Sequence, residues 1–153
     1  MIYRWFHFCA GSFLLVAFVG MTGCGGTYDS SVSGVVTLDG NPVPRGTVAF
    51  QPMSGGPAAY APIQVNGDFT VRTGREDGLP SGEYDVTVTA NEPPAIQQTA
   101  AGGPPPPGKP ITPAWYRIKE TAGLRFTVEA GENEINLELK STPPAGWNPR
   151  ARR

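Results

Sequence analysis

Between residues 31 and 140, apolar side chains recur at every second position, in short runs closed by glycine, proline or an Asn/Asp–Gly pair. A period of two is that of a strand with one buried face, and it constrains this chain more than any other property. Val32, Gly34, Val36 and Leu38 share one face of a first strand, with Ser33 and Thr37 on the other. Val48 and Phe50 repeat the pattern within residues 47–50. Residues 61–65 and 68–72 read as a hairpin joined by Asn66-Gly67, because both turn residues tolerate positive φ. Tyr84, Val86 and Val88 alternate with Asp85, Thr87 and Thr89. Leu124, Phe126 and Val128 form the sixth strand, and Ile135, Leu137 and Leu139 the seventh, with residues 131–133 as the short turn between them. No window has a helical period, and 20 Gly and 17 Pro among 153 residues oppose helix. Seven strands with one apolar face each must pack as two sheets. The expected fold is therefore all-β, a seven-stranded antiparallel β-sandwich over residues 31–141. Its expected aromatic core is Phe50, Phe69, Tyr84 and Phe126, with the Tyr84 hydroxyl reaching a backbone partner at the rim.

One long interruption spans residues 93–113 and holds eight prolines, four of them consecutive at 104–107. Proline cannot join a central ladder, so this segment is expected as an exposed loop of polyproline-II character, hung from the edge of the sandwich. A docking segment for an aromatic groove is the alternative. Residues 142–153 form a polar tail carrying Trp147, Arg150, Arg152 and Arg153.

Ahead of the strands, Arg4 and His7 give a short, weakly basic start, and residues 8–21 are apolar and uncharged. Such a run spans about 21 Å as a helix, short of the roughly 30 Å of a bilayer core. It reads as a helical signal peptide over residues 1–23 rather than a permanent membrane span. Met21-Thr-Gly-Cys24 resembles a lipobox, with Met21 where leucine is usual. The resemblance implies cleavage before Cys24, acylation of that cysteine with palmitate-type chains, and a membrane-anchored bacterial lipoprotein. Gly25 rather than aspartate after the cysteine resembles the sorting pattern for the outer membrane. Residues 24–30 then form a tether from the lipid to the folded domain, reaching at most about 20 Å.

Removal of residues 1–23 takes Arg4 and no acid, leaving 11 basic against 13 acidic residues. That balance offers no basic excess for phosphate neutralisation, so nucleic acid is excluded as a partner. Cys9 and the single histidine, His7, leave with the leader, and Cys24 is consumed by acylation. The remaining chain has no disulfide, no imidazole base and no histidine metal ligand. No cofactor and no metal site are expected. Asp39, Asn41, Asn66, Asp68, Glu76 and Asp77 have oxygen ligands suited to calcium, but they lack the spacing of a calcium loop and sit where turns need them.

Val32-Ser-Gly-Val-Val-Thr-Leu-Asp-Gly-Asn-Pro-Val-Pro-Arg-Gly-Thr-Val-Ala-Phe50 resembles the opening of carboxypeptidase-regulatory-like domains, which have the transthyretin-like (prealbumin-like) fold. Asn66-Gly-Asp-Phe69 and Gly78-Leu-Pro-Ser-Gly-Glu-Tyr-Asp-Val86 continue the pattern. Trp115-Tyr116, Gly123-Leu-Arg-Phe-Thr-Val128 and Asn133-Glu-Ile-Asn-Leu137 resemble the end of small bacterial lipoproteins carrying such a domain. The likeness covers nearly all of residues 31–140. It implies an accessory module, not a particular ligand. The functional expectation is a non-catalytic lipoprotein of the bacterial cell envelope, membrane-bound through acylated Cys24, whose sandwich serves as a structural or protein-interaction module toward an envelope protein or glycan. The alternative is a small-ligand or carbohydrate-binding domain, with Trp115 and Tyr116 stacking on a ligand rather than covering the open end of the core. A carboxylate-based hydrolase is the third reading.

Overall fold

The computed structural model describes residues 27–95 and 103–147. The chain is all-β and forms two sheets around one apolar core. In chain order the strands are β1 (Ser30–Leu38), β2 (Asn41–Pro42), β3 (Gly46–Pro52), β4 (Ala59–Ile63), β5 (Asp68–Thr70), β6 (Arg72–Thr73), β7 (Glu76–Asp77), β8 (Gly82–Thr89), β9 (Leu124–Val128), β10 (Gly131–Glu134) and β11 (Leu137–Leu139). A 3₁₀ turn (Ala114–Arg117) and a one-turn helix α1 (Lys119–Ala122) precede β9.

The six-stranded sheet runs β7-β6-β4-β3-β8-β9, antiparallel throughout. The five-stranded sheet is built on β1. On one side β1 pairs antiparallel with β5 and β2, and on the other it pairs parallel with β10 and β11. The inner faces meet as the period-two pattern requires. Val32, Val36, Phe69, Leu137 and Leu139 come from one sheet, and Val48, Phe50, Ala61, Tyr84, Val86, Val88 and Val128 from the other. Phe50 is at the centre, 6.3 Å from Phe69 and 6.1 Å edge-on from Tyr84 between ring centroids. The Tyr84 hydroxyl donates to Pro80 O at 2.7 Å, and burial pushes its pKa above the ordinary tyrosine value, with the charge of Asp29 adding to the effect.

Four expectations need correction. Eleven strands are present among the described residues where seven were expected. The run at 68–72 divides into β5 and β6, and β2, β7 and β10 are two to four residues long, too short to show an alternation. The arrangement is not wholly antiparallel. β9 belongs to the six-stranded sheet and the chain then crosses to the other, so residues 131–134 form a strand parallel to β1 instead of a hairpin turn. Asn133 fixes this crossing: its amide donates to Glu129 O at 2.8 Å and to Ser31 O at 3.2 Å, and its oxygen accepts from Glu129 N at 2.9 Å. Asn66-Gly67 does make a tight turn, closed by Gly67 N to Gln64 O at 2.9 Å, but its arms part. β5 takes the open edge of β1, and only Arg72 returns to pair with Tyr60 of β4. Finally, Phe126 is only partly buried, because β9 is an edge strand and nothing flanks its outer side among the described residues.

Gly34 has its own steric reason. Between β10 and β11 the chain passes close against β1, and a Cβ at Gly34 would collide with the carbonyl of Ile135. We therefore expect Gly34→Ala to cost about 3 kcal/mol. Phe50→Ala should cost about 3–5 kcal/mol, and Phe126→Ala only about 1–2 kcal/mol. Urea denaturation of the three variants checks this ordering, and equal losses at Phe50 and Phe126 would refute the placement of the core.

Candidate functional site

The strand registers give the sandwich two distinct ends. Ser30 pairs with Gly131 and bridges Leu79, and Gly82 pairs with Val128, so the start of β1 and β8 and the end of β9 lie together. At the opposite end lie Leu38, Thr89 and Leu139. The first end holds the beginning of the described chain. Thr27 donates to the Glu76 carboxylate at 3.1 Å, and Asp29 accepts from the Ser81 hydroxyl at 2.6 Å and the Ser81 N–H at 2.8 Å. Ser30, buried, donates to Leu79 O at 2.6 Å. The chain is therefore fastened from Thr27 onward. Cys24, the expected lipidation site, and residues 1–23, the expected signal peptide, lie outside the described residues.

At the far end the stem of the Pro-rich loop is zipped rather than free. Glu92 N donates to Lys109 O at 2.7 Å, Ile111 N donates to Ala90 O at 2.9 Å, and Asn91 bridges Pro110. Residues 96–102 of that loop lie outside the described residues.

Trp115 and Tyr116, the expected ligand platform, stand on the 3₁₀ turn and are 9% and 8% exposed. The Trp115 ring lies 5.9 Å from Tyr116 and 5.7 Å from Trp147, the latter edge-on. Tyr116 Oη accepts from Lys140 N at 2.9 Å, and Thr121 donates to Trp115 O at 2.8 Å. Trp115 Nε1 is buried without a partner among the described residues. These contacts let the pair cap the core beside β8 and hold the start of the C-terminal segment against it. None of the surface hollows described below is lined by either ring.

The carboxylates considered for calcium are dispersed and engaged. Asp39 accepts from Ser141 N at 3.1 Å, Asp68 from the Asn66 side-chain amide, and Asp77 from Arg72 at 2.6 Å. Among the described residues no three acidic, cysteine or histidine side chains gather as a metal site. No helix among them is long and apolar enough to cross a membrane.

The outer face of the six-stranded sheet carries a feature the alternation pattern passed over. Tyr60, Ala49 and Thr87 stand in register across β4, β3 and β8, and Gln51, Asp85 and Arg125 across β3, β8 and β9. With α1 on one side and the loop after β3 on the other, this face holds a trough with two lobes of about 450 and 370 Å³. Asp85 and Lys119 line both lobes, and Asp85 accepts from Arg125 Nε at 3.1 Å. Tyr60 and Met53, two of the three exposed large apolar side chains, line the larger lobe at 54% and 45% exposure. The available signal was a tyrosine at an outward position between two inward alanines, Ala59 and Ala61. No protein-family model matches this chain, and no curated protein or solved structure matches it.

The Asp29 clasp has a pH signature. The Ser81 hydroxyl and then the Ser81 N–H hold the Asp29 carboxyl below its ordinary pKa. A depressed folded-state pKa stabilises the fold above the unfolded value of about 3.9 and loses that contribution as pH falls through the folded value. The melting-temperature gap between the parent chain and Asp29→Asn should be full near pH 7 and should close progressively below about pH 4. A gap independent of pH would show that the clasp does not depend on the carboxylate charge.

Proposed function

We propose that this chain is a bacterial envelope lipoprotein, acylated at Cys24 and destined for the outer membrane, whose sandwich is a non-catalytic interaction module of the carboxypeptidase-regulatory-like, transthyretin-like type. The observation that carries the reading is the shortness of the link. A Thr-Gly-Cys sequence follows an apolar run of leader length, and only residues 25 and 26 separate Cys24 from Thr27, the first of the described residues and one bonded to the sandwich. Three backbone steps reach about 11 Å, so acyl chains on Cys24 hold the Asp29–Ser81 end close to the headgroups. One acyl chain binds a membrane only marginally, whereas the two or three of a mature lipoprotein give stable anchorage.

That attachment orients the module. The zipped stem of the Pro-rich loop, the aromatic cap and the C-terminal segment lie toward the far end, and the trough opens on the flank. The dispersed, turn-bound carboxylates support a binding role over hydrolysis, since glycoside cleavage needs two facing acids about 5–9 Å apart. Mass spectrometry of the protein extracted from envelopes should find an amino terminus at Cys24 carrying a diacylglyceryl thioether. Cys24→Ser should leave the leader uncleaved. An unmodified amino terminus on protein from the soluble fraction would refute the anchor.

A further inference from the structure

We propose that the trough on the outer face of the six-stranded sheet binds a neutral polysaccharide chain, with Tyr60 as the stacking platform. The backbone of the floor dictates what kind of ligand fits. Across the floor β4, β3 and β8 are each paired on both sides, and only β9, at one margin, has an open edge, so recognition over most of the trough falls to side chains. Those side chains have the two chemistries a pyranose ring presents. Tyr60, more than half exposed, offers an aromatic face to the apolar C–H face of a sugar. Gln51, Asp85, Lys119 and Arg125 offer donors and acceptors to its rim of hydroxyls. Asp85 is held by Arg125 at 3.1 Å, which orients one acceptor before any ligand arrives.

Charge selects among glycans. Lys119 and Arg125 are matched by Asp85 and Glu120 along the trough, so its formal charge is balanced and neither an acidic nor a basic polymer is favoured. The larger lobe is also too polar for an acyl chain, with Tyr60, Met53, Pro52 and Ala58 its apolar contributions. The two lobes are contiguous through Asp85 and Lys119, which suits several consecutive sugar units rather than one. This inference deepens the reading of the chain as an envelope interaction module. The two fail separately, because acylation of Cys24 and occupancy of the trough have independent readouts.

The test uses the full acylated chain in detergent without sugar headgroups, titrated calorimetrically with neutral hexasaccharides of glucose and of N-acetylglucosamine. Saturable binding of at least one, little changed between 50 and 300 mM salt (about the range over which exposed charge pairing is screened), is the expected result. Tyr60→Ala should weaken it about tenfold or more, the loss expected of a contact residue at the centre of a site. Tyr60→Phe should retain it, and because Tyr60 is exposed both variants should melt as the parent does. Gln51→Ala is a second reading of the site should Tyr60→Ala alter folding. Absence of binding to both sugars, binding that collapses with salt, or parent-like affinity in Tyr60→Ala overturns the proposal. So does loss of binding through Trp147→Ala alone, which would put the ligand at the aromatic cap.

Discussion

Everything in this molecule depends on β1 being hydrogen-bonded along both edges. Four segments use it: β10 and β11 in parallel on one side, β5 and β2 antiparallel on the other. All four are four residues or shorter and have no ladder of their own beyond β1. An isolated pair of strands is marginal in water, so the five-stranded sheet exists because nine residues of β1 are shared among all of them. Gly34 sits where the backbone of Ile135 approaches β1 too closely for a side chain to fit. The Ile135 N–H donates to Ser33 O at 2.8 Å and Val35 N donates to the Asn136 side chain at 3.0 Å, so the break between β10 and β11 loses little hydrogen bonding.

The same strand is held at both ends. β1 begins immediately after Asp29, within the clasp formed with Ser81, and ends where Asp39, with φ of 50°, accepts from Ser141 N. The two aspartates pin opposite ends of one rod, and in both a serine hydroxyl and N–H hold the carboxyl below its ordinary pKa.

Alternation made the inward residues legible. Val32, Val36, Val48, Phe50, Tyr84, Val86, Val88, Leu137 and Leu139 are all buried as the period of two requires. Pairing was less legible, because partner choice is tertiary. Asn66-Gly67 encodes a turn but not the departure of β5 to another sheet, and Gly131 encodes positive φ (97°) but not the crossover. Phe126 shows the same limit. Its alternation is correct and its face is inward, yet burial depends on a neighbour that an edge strand lacks. At the aromatic cap, Trp115 and Tyr116 stood out by composition, while their burial follows from Tyr116 bonding Lys140 N and from Trp147 closing over Trp115.

The outer face of a half-buried sheet is usually read as indifferent, solvated surface, and here its outward residues are unequal. Thr87 faces away from the core and is nonetheless buried, because α1 lies against β8. Ala49, beside it, has a single methyl where most outward strand positions carry longer polar chains. A helical turn on one side and an exposed tyrosine on the other make a concavity on this face. Solvation alone does not require the tyrosine, since a lysine or threonine there would serve solubility and strand propensity as well. Recognition of a ligand with one apolar face and a hydroxyl rim gives Tyr60 a physical reason to be where it is.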